Sequence, residues 1–179
     1  MFLQNIFKTF VSKVLILLIN FAVLTLTTNY FGLEGRGLIS IIMADLAIIV
    51  IFNNILAGNS VVYFMNKVGL SRLILPAVIW IILSTTIGAF VFSVLHTQQS
   101  FFILLPLTLI TSFLALNLLI FIGKEKIQLF NIFSLIPPFL LLIFSLGFIY
   151  LFKNRTVNGY LFSYFLSQAV VFFISLIFI

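Results

Sequence analysis

The fold is decided by residues 11–37, which read VSKVLILLINFAVLTLTTNYFGLEGRG. Residues 11–31 are mostly apolar over about 20 positions, the length that an α-helix needs to cross the hydrocarbon core of a bilayer. Three glycines and two charged residues follow at 32–37, and such a cluster ends a helix. The stretch therefore predicts a transmembrane helix that closes in a turn.

The rest of the chain repeats this pattern. Of its 179 residues, 64% are hydrophobic and 7% are charged, whereas soluble domains have about 45–50% apolar and about 25% charged residues. A soluble globule needs a polar shell and a disordered chain needs low hydrophobicity, so both classes are excluded. The apolar runs are too long, and too uniform, for the strands of a membrane barrel. We predict an all-α polytopic membrane protein with six transmembrane helices, at about residues 11–31, 38–64, 73–95, 101–122, 127–152 and 159–179.

The basic residues indicate the orientation of these helices. The net charge is +6, but the basic residues lie in short gaps between apolar runs, so no nucleic-acid partner is predicted. If the N-terminus is cytoplasmic, most of them fall on the cytoplasmic side, as the positive-inside rule requires. This side would hold Lys8, Lys13, Lys67, Arg72, Lys124 and Lys126, and the other side Arg36, Lys153 and Arg155. No small-residue cleavage site follows the first apolar run, so we expect it to be a retained helix rather than a signal peptide.

Polar residues inside the second predicted helix have two interpretations. Asp45, Asn53, Asn59 and Ser60 fall within an arc of roughly 120° at 100° per residue. They could line a transport pathway, with Asp45 as a proton or cation site, because carboxylates at membrane depth are costly and usually functional. They could equally bond neighbouring helices together.

The first and fifth helices carry two further candidates. Lys13, Asn20 and Thr27 recur every seven residues, so they share one helix face. This face could line a cavity in which Lys13 attracts an anionic head group. Alternatively, Lys13 is an ordinary interfacial lysine and the other two residues pack against neighbouring helices. Pro137-Pro138 predicts a kink in the fifth helix. Transporters use bent helices to line cavities, although a bent packing helix has the same pattern.

The hydroxyl-bearing residues of the fourth and sixth predicted helices suit contacts with sugars and helix packing equally well, and we favour packing. These residues are Thr108, Thr111 and Ser112 in the fourth helix, and Tyr160, Ser163, Tyr164 and Ser167 in the sixth.

The sequence offers little for catalysis. It has no cysteine and three acidic residues, too few for a metal site with the single histidine. That histidine, His96, stands in a predicted loop with no acidic neighbour. A phosphate-binding glycine loop with a lysine is also missing. We therefore predict no catalytic residue, no metal, no cofactor and no enzymatic activity.

The turn of Gly32, Glu34, Gly35, Arg36 and Gly37 resembles the G-x-E-G-x-G turn of bacterial polysaccharide and O-antigen flippases. Those proteins belong to the multidrug/oligosaccharidyl-lipid/polysaccharide exporter superfamily. Two further segments are similar to that family. The first, AGNSVVYF at residues 57–64, resembles the end of its second helix. GKEKI at 123–127, with FNI at 130–132, resembles its turn into the fifth helix.

This resemblance implies a two-lobe fold with six helices in the N-terminal lobe. Residues 1–179 would form that one lobe, as the N-terminal part of a longer protein. The second lobe would come from the same chain continued or from a second copy. The implied activity is export of polyprenyl-pyrophosphate-linked oligosaccharide by alternating access, for O-antigen or capsule synthesis. The implied location is the bacterial cytoplasmic membrane, with the N-terminus cytoplasmic, and the partners are the lipid bilayer and the lipid-linked oligosaccharide.

Two other functions remain open at this point. One is a multidrug–cation antiporter of the same superfamily, and the other is a non-transporting membrane subunit that scaffolds a glycan-synthesis complex. Related lipid flippases carry several cavity arginines for the pyrophosphate. In this sequence the matching region has Lys13, with neutral Thr27 and Asn29 further along the helix.

Overall fold

The computed structural model describes residues 2–96, 100–150 and 156–179, and within these ranges every element is a helix. The all-α prediction is therefore confirmed. Five helical stretches are long and apolar enough to cross a membrane, the first being Ile6–Met65. The helices are α1 (Phe2–Ala57), α2 (Asn59–Val68), α3 (Leu70–Leu95), α4 (Phe101–Gly123), α5 (Ile127–Tyr150) and α6 (Val157–Leu176).

Helix α1 is broken at Gly32, whose φ of 69° and ψ of −175° are not helical. A positive φ costs glycine little because it has no Cβ. The break divides α1 into a first arm (residues 2–31) and a second arm (residues 33–57). Only Gly32 leaves the helical conformation, so the rest of the predicted 32–37 turn forms the start of the second arm.

The two arms of α1 run in opposite directions. In the first arm, Thr9 bonds to Asn131 near the start of α5, and the Tyr30 ring contacts Tyr150 at the end of α5. Beyond the second arm, Met65 packs against Gly123, just before α5 begins. Both outer ends of the hairpin therefore lie beside the start of α5, and Gly32 lies at the opposite end of the bundle.

The described basic residues separate between these two ends. We call the end near Gly32, Tyr150 and Val157 the glycine end, and the opposite one the basic end. At the basic end, the ammonium groups of Lys124 and Lys126 donate to the final carbonyls of the chain, as cations favour a helix C-terminus. Among the described residues Arg36 is the basic side chain at the glycine end; Lys153 and Arg155 lie outside the described residues. The basic end carries Lys8, Lys67, Arg72, Lys124 and Lys126.

Two predicted boundaries are wrong. The predicted helix 38–64 is interrupted at Gly58, where φ is −105° and ψ is −121°. A Cβ there would lie 2.2 Å from the backbone oxygen of Asn54, so only glycine allows this close approach. The predicted polar connector 66–72 is helical on both sides of Gly69, whose φ is 86°. Residues 151 and 152, assigned to the fifth predicted helix, lie outside the described residues.

The bundle has the surface of a membrane-embedded protein. Large apolar side chains are exposed on every long helix, among them Phe21, Ile51, Phe90 and Phe173. Such a continuous apolar exterior would aggregate in water but suits contact with lipid tails. The interior combines apolar residues with buried serine, threonine and asparagine side chains, which join helices by hydrogen bonds.

Candidate functional site

The four residues of the predicted polar stripe, Asp45, Asn53, Asn59 and Ser60, make separate contacts in the structure. Asn53 is only 2% exposed. Its amide donates to the Ser112 hydroxyl on α4, and its carbonyl accepts from the Ser84 hydroxyl on α3. Asn53 therefore holds three helical segments together. Asn59 is exposed, and the Ser60 hydroxyl donates to the backbone oxygen of Leu56, across the break at Gly58.

Asp45 has a partner that the sequence did not reveal. Its carboxylate lies 2.9 Å from Nδ1 of His96, which caps the end of α3. The Asp45 side chain is 5% exposed, whereas that of His96 is 39% exposed. The expectation that His96 lacks an acidic neighbour holds only along the sequence and is wrong in space. This pair joins the second arm to the end of α3 near the glycine end.

A groove of about 330 Å³ opens between the first arm, α4, α5 and α6. It brings together two predicted cavity residues, Lys13 and Asn20, and the predicted kink residues Pro137 and Pro138. Its floor and walls are otherwise largely apolar. The polar side chains in its lining are Lys13, Asn20, Thr111, Ser134, Tyr164 and Gln168.

The groove lies deep in the bundle. On α5 its lining runs from Ser134 to Leu141, which is roughly 10–21 Å from the start of the helix at 1.5 Å per residue. If α5 crosses a hydrocarbon core about 30 Å thick, these residues lie in its central part. The groove therefore brings polar groups to a depth at which the outer surface of a helix bundle contacts lipid tails.

Proline leaves unpaired backbone oxygens beside the groove. Pro137 and Pro138 have no N–H, so the carbonyls four residues earlier, those of Phe133 and Ser134, lose their helical donors. The Ser134 hydroxyl is also buried without a hydrogen-bond partner. Helix α5 continues through both prolines as one helix, so they do not end it, and the bend stays a prediction.

The other polar groups of the groove come from α6 and the first arm. The Tyr164 hydroxyl lies beside the side chains of Thr111 and Gln168. Lys13 is exposed, with its ammonium 5.5 Å from the centre of the Phe130 ring. Lys13 is the one charged side chain among the described lining residues, and they include no carboxylate. The groove consequently favours an anionic or neutral polar ligand over a cation.

Thr27 and the glycine turn lie apart from this groove. The Thr27 hydroxyl is fully buried, donates to the backbone oxygen of Leu24, and accepts from Arg36 at 3.4 Å. Arg36 thus reaches back across the break in α1. Gly35 packs against Phe31 and α6, whereas Glu34 and Gly37 are exposed. The turn therefore shapes the hairpin and contributes nothing to the groove.

Sequence reasoning missed four of the polar groove residues. Thr111 and Tyr164 were interpreted as packing residues, and Ser134 and Gln168 were not singled out. A signal was present, since Tyr164 and Gln168 are four residues apart and so share one face of α6. Within the described residues, no group of three or more histidine, aspartate or glutamate side chains could hold a metal ion.

Comparison of the chain with protein-family models, with curated proteins and with solved structures gives no match.

Proposed function

We propose that this chain is the N-terminal six-helix lobe of a flippase for polyprenyl-pyrophosphate-linked oligosaccharides in the bacterial cytoplasmic membrane. The observation that supports it is the groove between the first arm, α4, α5 and α6. It joins one basic side chain, Lys13, whose ammonium lies beside Phe130 near the start of α5, to amide and hydroxyl groups deeper in the bundle. The turn at Gly32–Gly37 resembles that of this family, which supports the same assignment.

The chemistry of the substrate fits the chemistry of the groove. A pyrophosphate is an anion that an ammonium group such as Lys13 attracts. Sugar hydroxyls both donate and accept hydrogen bonds, as do the amides of Asn20 and Gln168 and the hydroxyls of Thr111 and Ser134. The groove is open on one side, so the polyprenyl tail can stay in the bilayer while the head group moves past.

We infer six membrane crossings, with both arms of α1 crossing separately. The stretch Ile6–Met65 has 60 residues and would be about 90 Å long as a straight helix, about three times the hydrocarbon core. The break at Gly32 lets it fold back instead. The basic end would face the cytoplasm by the positive-inside rule, so the N-terminus is cytoplasmic.

The open side of the groove supports the two-lobe architecture. A second lobe would cover it in one state and release it in another, which is alternating access. That lobe would be supplied by the chain continued or by a second copy.

The groove argues against the two alternative functions. A multidrug–cation antiporter needs an anionic group for its substrate, but the described groove residues offer Lys13 and no carboxylate. Asp45, which could have served, lies elsewhere and pairs with His96. A scaffold subunit would have no need for unpaired polar groups at membrane depth, since their burial is costly.

The test is a translocation assay with the intact native protein in liposomes. The probe is a fluorescent polyprenyl-pyrophosphate-linked N-acetylglucosamine, whose outer-leaflet fraction is bleached by dithionite. We expect protein-dependent bleaching of the inner-leaflet probe. The variant Asn20→Trp, which blocks the groove, should abolish it, while Asn29→Trp, exposed on the same arm outside the groove, should not. Export of tetraphenylphosphonium without movement of the lipid probe would identify an antiporter instead. Movement of neither probe would refute a transport role.

A further inference from the structure

A second polar site lies between the first arm and α5, at the basic end. It is a crevice of about 370 Å³ that shares no lining residue with the groove. Its apolar wall is formed by Phe7, Val11 and Ile132, all of which are exposed at the bundle surface. Its polar lining includes Lys8, Gln128 and Asn131. The crevice is therefore an amphiphilic pocket at the level where lipid head groups lie.

Asn131 holds the unsatisfied group of this crevice. The residue is 6% exposed, and its amide nitrogen donates to the Thr9 hydroxyl at 2.9 Å. Its carbonyl oxygen is buried and has no hydrogen-bond partner. A buried acceptor without a donor is costly, and native proteins almost always supply one. The crevice thus calls for a ligand that donates a hydrogen bond.

Lys8 adds a positive charge to the crevice, whereas Asn131 adds a hydrogen-bond acceptor. Its ammonium is exposed, and it precedes Thr9, which bonds directly to Asn131. The hydrogen bond between Asn131 and Thr9 fixes the register of the first arm against α5, and this register places Lys8 in the crevice lining. The Lys8 ammonium at the rim of the crevice therefore attracts an anion, while the Asn131 carbonyl oxygen on its buried side can accept a hydrogen bond.

We propose that this crevice binds the head group of phosphatidylethanolamine. The phosphate would contact the Lys8 ammonium, and the ethanolamine ammonium would donate to the Asn131 carbonyl oxygen. The acyl chains would lie along Phe7, Val11 and Ile132. A choline head group lacks N–H donors and cannot satisfy Asn131. A glycerol head group donates only from neutral hydroxyls, which make weaker bonds than a charged donor. The proposal does not depend on the transport activity.

The experiment measures which lipids stay with the protein. The intact protein is placed in nanodiscs of equal parts phosphatidylethanolamine, phosphatidylglycerol and phosphatidylcholine, then extracted in mild detergent, and the co-purifying lipids are quantified by mass spectrometry. We expect phosphatidylethanolamine to exceed phosphatidylcholine by about tenfold, as loss of a charged hydrogen bond implies.

Variants separate this crevice from general lipid contact. Lys8→Gln and Val11→Trp, both at exposed positions, should remove most of the enrichment, and Asn131→Leu should remove it entirely. Lys67→Gln is the matched control at the same end of the bundle and should retain it. Equal retention of all three lipids would overturn the proposal. Enrichment of phosphatidylglycerol alone would overturn the assignment to an amine. Enrichment that survives both Lys8→Gln and Val11→Trp would place the lipid elsewhere.

Discussion

Replacing Asn53 by alanine distinguishes a packing residue from a pathway residue. Asn53 makes two side-chain hydrogen bonds to other helices, with Ser84 and with Ser112. Such bonds in membrane bundles contribute roughly 0.6 kcal/mol each on average and at most about 1.7 kcal/mol. Losing both should therefore destabilise the bundle by about 1–3 kcal/mol. Ser84 keeps a bond to the Trp80 backbone oxygen, so the loss at that hydroxyl is partial.

The assay is equilibrium unfolding in mixed micelles of a mild detergent and sodium dodecyl sulfate. The matched control is Asn54→Ala, because Asn54 is the neighbouring residue and is exposed. A double-mutant cycle of Asn53→Ala with Ser112→Ala should give a coupling free energy of about 0.5 kcal/mol or more. If Asn53→Ala is as stable as Asn54→Ala, the packing role is refuted.

A labelling experiment tests whether Asn53 is accessible to water. The chain has no cysteine, so single cysteines can be introduced without background. A cysteine at 53 should resist aqueous thiol reagents, whereas one at 20, in the groove, should react. If the cysteine at 53 reacts as fast as the one at 20, residue 53 faces water, and the transport-pathway interpretation of the polar stripe would be supported.

Two further substitutions follow from the bundle. Gly58→Ala should destabilise the protein by about 1–3 kcal/mol in the same unfolding assay, because its Cβ would overlap the Asn54 backbone. The control is Gly37→Ala, since Gly37 has open space around it. Equal stability of the two variants would contradict the fold near Gly58. Asp45→Asn should lower the free energy of unfolding by about 1–2 kcal/mol in the same assay, since it weakens the hydrogen bond between a buried carboxylate and His96. The control is Glu34→Gln, an exposed acid at the same end, and equal stability of the two variants would contradict the joining role of the Asp45–His96 pair.

The helical class and membrane character were predictable from composition, because apolar runs of about 20 residues leave few other solutions. The break at Gly32 was also predictable, since a glycine between long apolar runs marks a turn. The break at Gly58 was not. It depends on a close approach between that residue and the backbone of Asn54, which an apolar pattern does not encode.

The groove was only half predictable. Helical spacing put Lys13 and Asn20 on one face, and both line the groove. Spacing also put Thr27 on that face, but its hydroxyl is buried beside Arg36, because the hairpin covers the end of the arm. The pairing of Asp45 with His96 spans 51 positions, and only the antiparallel packing of the second arm on α3 brings them together.

The proposed function requires the groove beside Lys13 to bind a pyrophosphate-bearing lipid head group. The direct measurement is the dissociation constant of farnesyl pyrophosphate, a short soluble probe, for the intact protein and its Lys13→Gln variant. We predict about tenfold weaker binding by Lys13→Gln, as loss of one charged contact implies. Lys13→Arg and Arg72→Gln, which keeps the groove intact, should bind as the wild type does. Wild-type affinity in Lys13→Gln would show that Lys13 does not bind the pyrophosphate.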